Sequence, residues 1–428
     1  MRVMEQLLWG PHVIISILAV GIWLTLRSGF MQLHRIPGNA RAALRGDSEE
    51  GGISALQALS ASLAGSLGTG NIVGVAAAIT VGGPGAVVWM WISAFFGMMT
   101  VYAEGFLAAK HSEPNAPGAT GYIQKALGRP AAVIYAAGCV LSALGMGSMA
   151  QTGAISAALS TAGVPNWVSG LITAVLLILC VRGGLSSAVR VTERLVPLMS
   201  GIFLAACAAV LVLRAEYIPG AIMTMLSSAF STKAAVGGVG GMWLAMRTGI
   251  SRGVFTNEAG LGSGAFALCR TRGKTPEQIG TLGAIQVFID TILLCTITGL
   301  CMLVSPGTGE GAEYTLSSFS ATLGDLGSAA VSVSIALFAF ATVIAWSCYG
   351  MDALLFAVNC ESRMCRSVYM LFAATACFMG CVLPFADVLA FCDAFNGIMA
   401  VPNLMAVLSL SNSIFEKNGQ KKKNFLQF

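Results

Sequence analysis

Two stretches of this chain place small polar side chains and weakly helical backbone inside runs that are otherwise as apolar as lipid. The first is Gly65-Ser66-Leu67-Gly68-Thr69-Gly70-Asn71-Ile72-Val73-Gly74, at the centre of an apolar run from Ser54 to Thr80. A bilayer span takes ~20 helical residues, so the run is long enough to cross with its glycines near the midplane. Glycine costs a helix interior about 1 kcal/mol relative to alanine, and four of these ten residues are glycine. Broken backbone at that depth is tolerated only when it is buried in protein or lines a watery cavity. A helix unwound there offers N–H groups to an anion and C=O groups to a cation. Close helix packing is the competing explanation, and Gly70 and Gly74 would serve it. Thr69 and Asn71 flanking Gly70, together with a second broken stretch downstream, favour binding.

That second stretch runs from Arg247 to Gly264, with glycine at 249, 253, 260, 262 and 264. Arg247, Arg252 and Glu258 are expensive in hydrocarbon; such residues face the interior, pair with one another or mark a pathway. A re-entrant loop pinned by an Arg252–Glu258 pair and a share in the binding site are both open readings. Gln151 lies in the polar patch Gly145–Gly153, as a ligand or as interhelical glue. Thr342 and Trp346 are four residues apart and share a helix face. Asp290 is a deep carboxyl, structural or proton-linked. Asn396, Pro402 and Asn403 read as a kink with local amide capping.

The elements that must position these residues follow from composition. Of 428 residues, 56% are apolar and 10% charged, where a soluble domain carries ~25% charged. The mean hydropathy is +0.79. This is an all-α polytopic membrane protein. The net charge of +5 is spread over short loops and implies no nucleic acid. The twelve cysteines lie mostly in apolar runs, where cysteine acts as a small hydrophobe, and neither a disulfide nor a metal cluster is expected. No cleavage site follows the first apolar run.

Hydropathy gives eleven spans: 12–27, 54–80, 84–110, 131–161, 166–182, 193–214, 235–268, 277–304, 328–356, 366–383 and 386–411. Twenty-one of the 24 Lys and Arg then fall on one side, leaving Arg2, Arg214 and Lys233 on the other. The positive-inside rule puts the N-terminus outside and the C-terminus in the cytoplasm. Gly82-Gly83-Pro84-Gly85 is a tight turn, followed by the interfacial anchors Trp89 and Trp91. Glu310–Asp325 reads as an external acidic and polar loop, either a cover for an external vestibule or a plain solvated loop. With 12–27 set aside as an extra N-terminal helix, 54–214 and 235–411 form two sets of five, each led by a glycine-broken helix, and 412–428 is a basic tail. Five is odd, so the sets are inverted, which puts a binding site at the midplane between them.

At these residues the chain resembles the alanine or glycine:cation symporter family, the bacterial sodium:alanine symporters. The matching stretches are GTGNIVGVA (68–76), GGPGAVVWMW (82–91), FFGMMTVYAEG (95–105), VTERLVP (191–197), GISRGVFTNEAGLGS (249–263), VFIDTILLCTITGL (287–300), FAFATVIAWSCYG (338–350) and NGIMAVPNL (396–404). The resemblance runs from about Leu8 to Ser411. It implies a leucine-transporter-type five-plus-five fold in the bacterial cytoplasmic membrane. It also implies Na⁺-driven uptake of alanine and glycine by alternating access, with H⁺ in some members, and no enzymatic cofactor. By that resemblance Thr69, Gly70 and Asn71 would meet the substrate, Gln151 would hydrogen-bond it, and Trp346 would wall the pocket. Na⁺ would use the carbonyls of Ala64, Leu67 and Ala339 and the hydroxyl of Thr342. The rivals are an H⁺-coupled or uncoupled amino-acid transporter, a membrane enzyme and a transporter-derived sensor. No His-Glu-x-x-His or paired intramembrane aspartates support an enzyme, and a sensor needs an output domain.

Overall fold

The computed structural model describes residues 8–45, 53–160, 163–182, 185–231 and 239–415. Residues 416–428 of the expected tail, 235–238 at the start of the expected second half, Arg2 and Lys233 lie outside them. The described chain is helical, with α1 (Pro11–Ser28), α2 (Met31–Leu44), α3 (Ala55–Ser66), α4 (Val73–Gly82), α5 (Ala86–His111) and α6 (Ala119–Leu127). There follow α7 (Arg129–Ser160), α8 (Asn166–Val181), α9 (Leu185–Leu213), α10 (Ile218–Phe230), α11 (Val239–Asn257) and α12 (Ala265–Leu268). The last are α13 (Pro276–Val304), α14 (Gly311–Leu323), α15 (Asp325–Val358), α16 (Arg363–Val382), α17 (Phe385–Leu410) and α18 (Asn412–Phe415). Among the described residues, eight helices are long and apolar enough to cross a membrane.

Local chemistry sets several helix ends. Ser54 and Gln57 form a capping box at the start of α3, and Thr275 and Gln278 form another at the start of α13. Each satisfies two of the N–H groups that a helix start leaves unpaired. Gly83, at φ +75, turns the chain between α4 and α5. A side chain at the neighbouring Gly85 would collide with the backbone of Ala229.

The core runs along α5 and α15. Phe338, Ala339, Thr342, Trp346 and Tyr349 of α15 are all buried, packed among α3, α7, α9 and α16. α8 and α16 pair with each other and leave Leu171, Leu179, Leu371 and Phe372 exposed, as lipid-facing surfaces do.

Two helices interrupt stretches expected to be loops. Glu310–Asp325 contains α14 rather than a solvated loop, because Leu316 and Phe319 bury against the bundle. α10 occupies the connection before α11, burying Ala221, Met225 and Ala229 at helical spacing.

Candidate functional site

The site begins where α3 stops. Within α3 the N–H of Leu67 still donates to the Leu63 carbonyl (2.6 Å), but the next N–H, of Gly68, donates to Ser66 (2.8 Å). A continuing helix would have used it on Ala64. The Ala64 carbonyl is thereby released, and the Thr342 hydroxyl donates to it (2.9 Å) while also lying near the Phe338 carbonyl (3.2 Å). Six residues, Leu67–Ile72, separate α3 from α4, and the middle three form one tight turn, Thr69–Asn71.

Two wide-turn segments pack around this break. The first, Ala143–Met149 in α7, leaves the Met146 carbonyl to accept from Gln151 Nε2 (3.1 Å), and Gln151 Oε1 accepts the backbone N–H of Thr69 (3.1 Å). The second, Phe288–Cys295 in α13, presents Asp290 to the other side of the break. Asn71 Nδ2 donates to the Asp290 carbonyl and to its carboxylate (both 2.8 Å), and Thr291 donates to the second carboxylate oxygen (2.7 Å). Insertions of this kind re-aim side chains and recur at functional sites.

Glycine is required because the walls are close. A Cβ on Gly68 would lie 2.8 Å from Thr342 Oγ1 and 2.9 Å from Gln151 Oε1; one on Gly70 would lie 2.8 Å from Thr256 Oγ1, on the second broken stretch. Thr69, Gly70, Asn71, Gln151, Thr342 and Ala64 are therefore brought together around one unwound segment. Leu67 and Ala339 are buried beside it along the same two chain segments.

Trp346 belongs to a different contact set. Its indole N–H donates to Glu258 Oε1 (2.9 Å), and Ser263 donates to the other oxygen of that carboxylate. Glu258 opens the second break, Glu258–Gly264 between α11 and α12, where φ is positive at Glu258 (+58), Gly260 (+89) and Gly262 (+69). The Arg252–Glu258 pair is not formed: with a Trp and a Ser as donors, the carboxylate needs no guanidinium. Arg270 pairs instead with Asp352.

A cavity of about 740 Å³ opens at the cation-rich end of the bundle, lined among others by Arg182, Arg270, Cys348, Asp352 and Arg366. Tyr349, next in sequence to the cavity-lining Cys348, donates its hydroxyl to the Ala61 carbonyl (3.0 Å) and packs against Gly65 of α3. Thr342 lies six residues from Cys348, about 9 Å along the helix.

The sodium:alanine symporter family matches residues 1–424. The chain belongs to that family. Sodium/alanine symporter AgcS of Methanococcus maripaludis is 36% identical over 432 residues, covering 96% of this chain and 94% of that protein. Amino-acid carrier protein AlsT of Bacillus subtilis is 33% identical, covering 94% and 87%. The probable sodium/glutamine symporter GlnT of Bacillus subtilis is 30% identical, covering 96% and 88%. Among solved structures, a manganese transporter of Eremococcus coleocola superposes with a TM-score of 0.55 at 16% identity, covering 84% of this chain and 78% of that one. That likeness establishes a shared transporter fold. The protein is a multi-pass membrane transporter and not an enzyme.

Sequence reasoning about the symporter missed its second polar cluster. Asn403 does not cap its own helix; its Nδ2 donates to Glu104 Oε1 (2.7 Å) and to the Gly260 carbonyl (2.8 Å), and the Gly260 N–H donates to the same Glu104 oxygen (3.0 Å). Tyr122 donates to Asn403 Oδ1 (2.5 Å). Asn396 likewise reaches across, to Met146 Sδ (3.2 Å). A buried Glu in a span is a signal for such a partner, and Glu104 carries it within the AEG stretch of α5.

Proposed function

We propose that this chain imports small neutral amino acids, alanine and glycine above all, together with Na⁺, by alternating access across the bacterial cytoplasmic membrane. The observation that carries this reading is the released Ala64 carbonyl meeting the Thr342 hydroxyl at 2.9 Å beside the unwound Thr69–Asn71 turn. Na⁺ takes hard oxygen ligands. The carbonyls of Ala64, Leu67 and Ala339 with the Thr342 hydroxyl would supply them without a dedicated carboxylate, which suits an ion that must leave again.

The substrate would lie on the other side of the same turn. Its carboxylate would compete with Gln151 Oε1 for the Thr69 N–H, freeing the Gln151 amide to turn to the substrate. Gly70 would let the backbone approach, and Asn71 Oδ1, buried without a donor of its own among the described residues, would accept from the ammonium. Trp346 would wall the side-chain end. One extra methylene changes discrimination by only ~1–3 kcal/mol, so glycine, alanine and serine would share the carrier. The relative named for alanine supports the small-substrate reading, and the relative named for glutamine marks a larger substrate for comparison.

The eleven-span arrangement with two inverted halves, 54–214 and 235–411, accounts for a broken helix at the head of each half. The cation-rich side faces the cytoplasm in this reading, so the 740 Å³ cavity is the cytoplasmic vestibule. The test is uptake of labelled alanine into proteoliposomes under an inward Na⁺ gradient, against an equal choline gradient. Accumulation only with Na⁺ supports symport. Uptake indifferent to Na⁺ replaces it with H⁺ coupling or uniport, and no uptake across an amino-acid panel revives the sensor reading.

A further inference from the structure

We infer that Glu258 is the positioning residue for Trp346 and thereby sets the size of side chain that the pocket admits. The inference rests on the reading of Trp346 as the pocket wall.

The indole is held at both ends, by different elements. At its root, the backbone of the α7 wide turn presses against it: a Cβ on Gly147 would lie 2.8 Å from Trp346 Cγ and closer still to its Cβ. Beside it, Tyr349 packs at 5.9 Å between ring centroids, tilted by 58°. These contacts fix the near half of the side chain. The far half is buried in the core, and the hydrogen bond from Nε1 to Glu258 Oε1 (2.9 Å) is the polar contact that fixes its orientation.

Glu258 is itself held. Its backbone N–H donates to the Val254 carbonyl (2.9 Å), closing the last turn of α11, and its φ of +58 is one that non-glycine residues rarely adopt. Its second oxygen accepts from Ser263, at the far end of the break. A satisfied indole would need one acceptor, and a backbone carbonyl would do. A carboxylate has two oxygens, and here one serves α15 and the other serves the break. The position of the ring is thus tied to the conformation of the second broken segment, and a shift in that segment moves the wall.

A role confined to satisfying a buried donor would change stability and leave selectivity alone. A positioning role changes selectivity, and only while Trp346 is present to be positioned. Full-length protein in proteoliposomes is assayed for alanine KM and for inhibition of alanine uptake by glutamine, in Glu258→Gln, Glu258→Ala, Trp346→Phe and the Glu258→Ala/Trp346→Phe double variant. Glutamine side-chain Oε1 can still accept from the indole, so Glu258→Gln is expected to keep wild-type selectivity. Glu258→Ala is expected to raise the alanine KM about 10-fold and strengthen glutamine inhibition, while adding less than about 2-fold to Trp346→Phe, because coupled residues are non-additive. Additive effects in the double variant, or Glu258→Gln behaving like Glu258→Ala, would overturn the inference. If Trp346→Phe alone left KM and glutamine inhibition unchanged, the pocket assignment beneath it would fail instead. Should Glu258→Ala not reach the membrane, Glu258→Asp withdraws the acceptor by one methylene and carries the same comparison.

Discussion

The two breaks are built from opposite materials. The first, Leu67–Ile72, contains no charged residue; its backbone meets a neutral amide, Gln151, the Thr342 hydroxyl bonds the Ala64 carbonyl just before it, and its contact with a carboxyl is the single side chain Asn71 on Asp290. Such contacts are easily exchanged, since a net intramolecular hydrogen bond contributes only ~0.5–1.5 kcal/mol. The second, Glu258–Gly264, is cross-linked by two buried carboxylates. Glu104 accepts from Asn403 and Gly260, and Glu258 accepts from Trp346 and Ser263. A buried polar group stranded without its partner costs ~1–3 kcal/mol, and here several such hydrogen bonds join α5, α15 and α17 to one loop. In the proposed function the first break would let go of its partners and take ligands, while the second would hold its shape. The two glycine-rich interruptions would then divide the work between binding and positioning.

The contrast breaks most severely if the clamp is removed. Glu104→Ala strands the Asn403 amide and the Gly260 N–H in the interior and is expected to cost about 3–5 kcal/mol, read as a large fall in thermal midpoint in detergent. Gly68→Ala should do the reverse, abolishing uptake with the thermal midpoint near wild type, because the new methyl meets Thr342 Oγ1 and Gln151 Oε1 rather than a structural clamp. Asn71→Ala leaves the Asp290 carbonyl and carboxylate without their shared donor. Its alanine uptake should fall by at least about 10-fold, the scale of one lost hydrogen bond of ~1.5 kcal/mol, with membrane insertion intact. Arg252→Gln sharpens the comparison from the other side. Since Glu258 is held by Trp346 and Ser263, loss of that guanidinium should change uptake by less than about 2-fold, in keeping with a polar change away from a buried network.

The first break is legible in the sequence because its signal is local: four glycines flanking Thr69 and Asn71 in a window of lipid-like hydropathy lie within ten residues. The charged residues of the second stretch are legible as expensive, but their partners are not. Arg252 is six residues from Glu258, whereas Trp346 is 88 residues away, and only the fold decides between them. Asn403 and Glu104 are separated by 299 residues, so the amide reads as a local cap. The wide turns of α7 and α13 leave no pattern, because each is a one-residue adjustment that tertiary packing stabilises. α14 was hidden by its polar face: Leu316 and Phe319 are too few to raise hydropathy, yet they suffice to bury one side of a helix.

If the first break holds the coupling ion at Ala64 and Thr342, the requirement for Na⁺ must change when the hydroxyl is lost. Na⁺ activation of alanine uptake is therefore measured in Thr342→Val, which keeps the side-chain shape and removes the hydroxyl. The expected result is a half-saturating Na⁺ concentration raised at least about 10-fold, the equivalent of about 1.4 kcal/mol, with an alanine KM near wild type at saturating Na⁺. An unchanged Na⁺ requirement in a folded, transporting Thr342→Val protein would contradict the account and place the ion elsewhere.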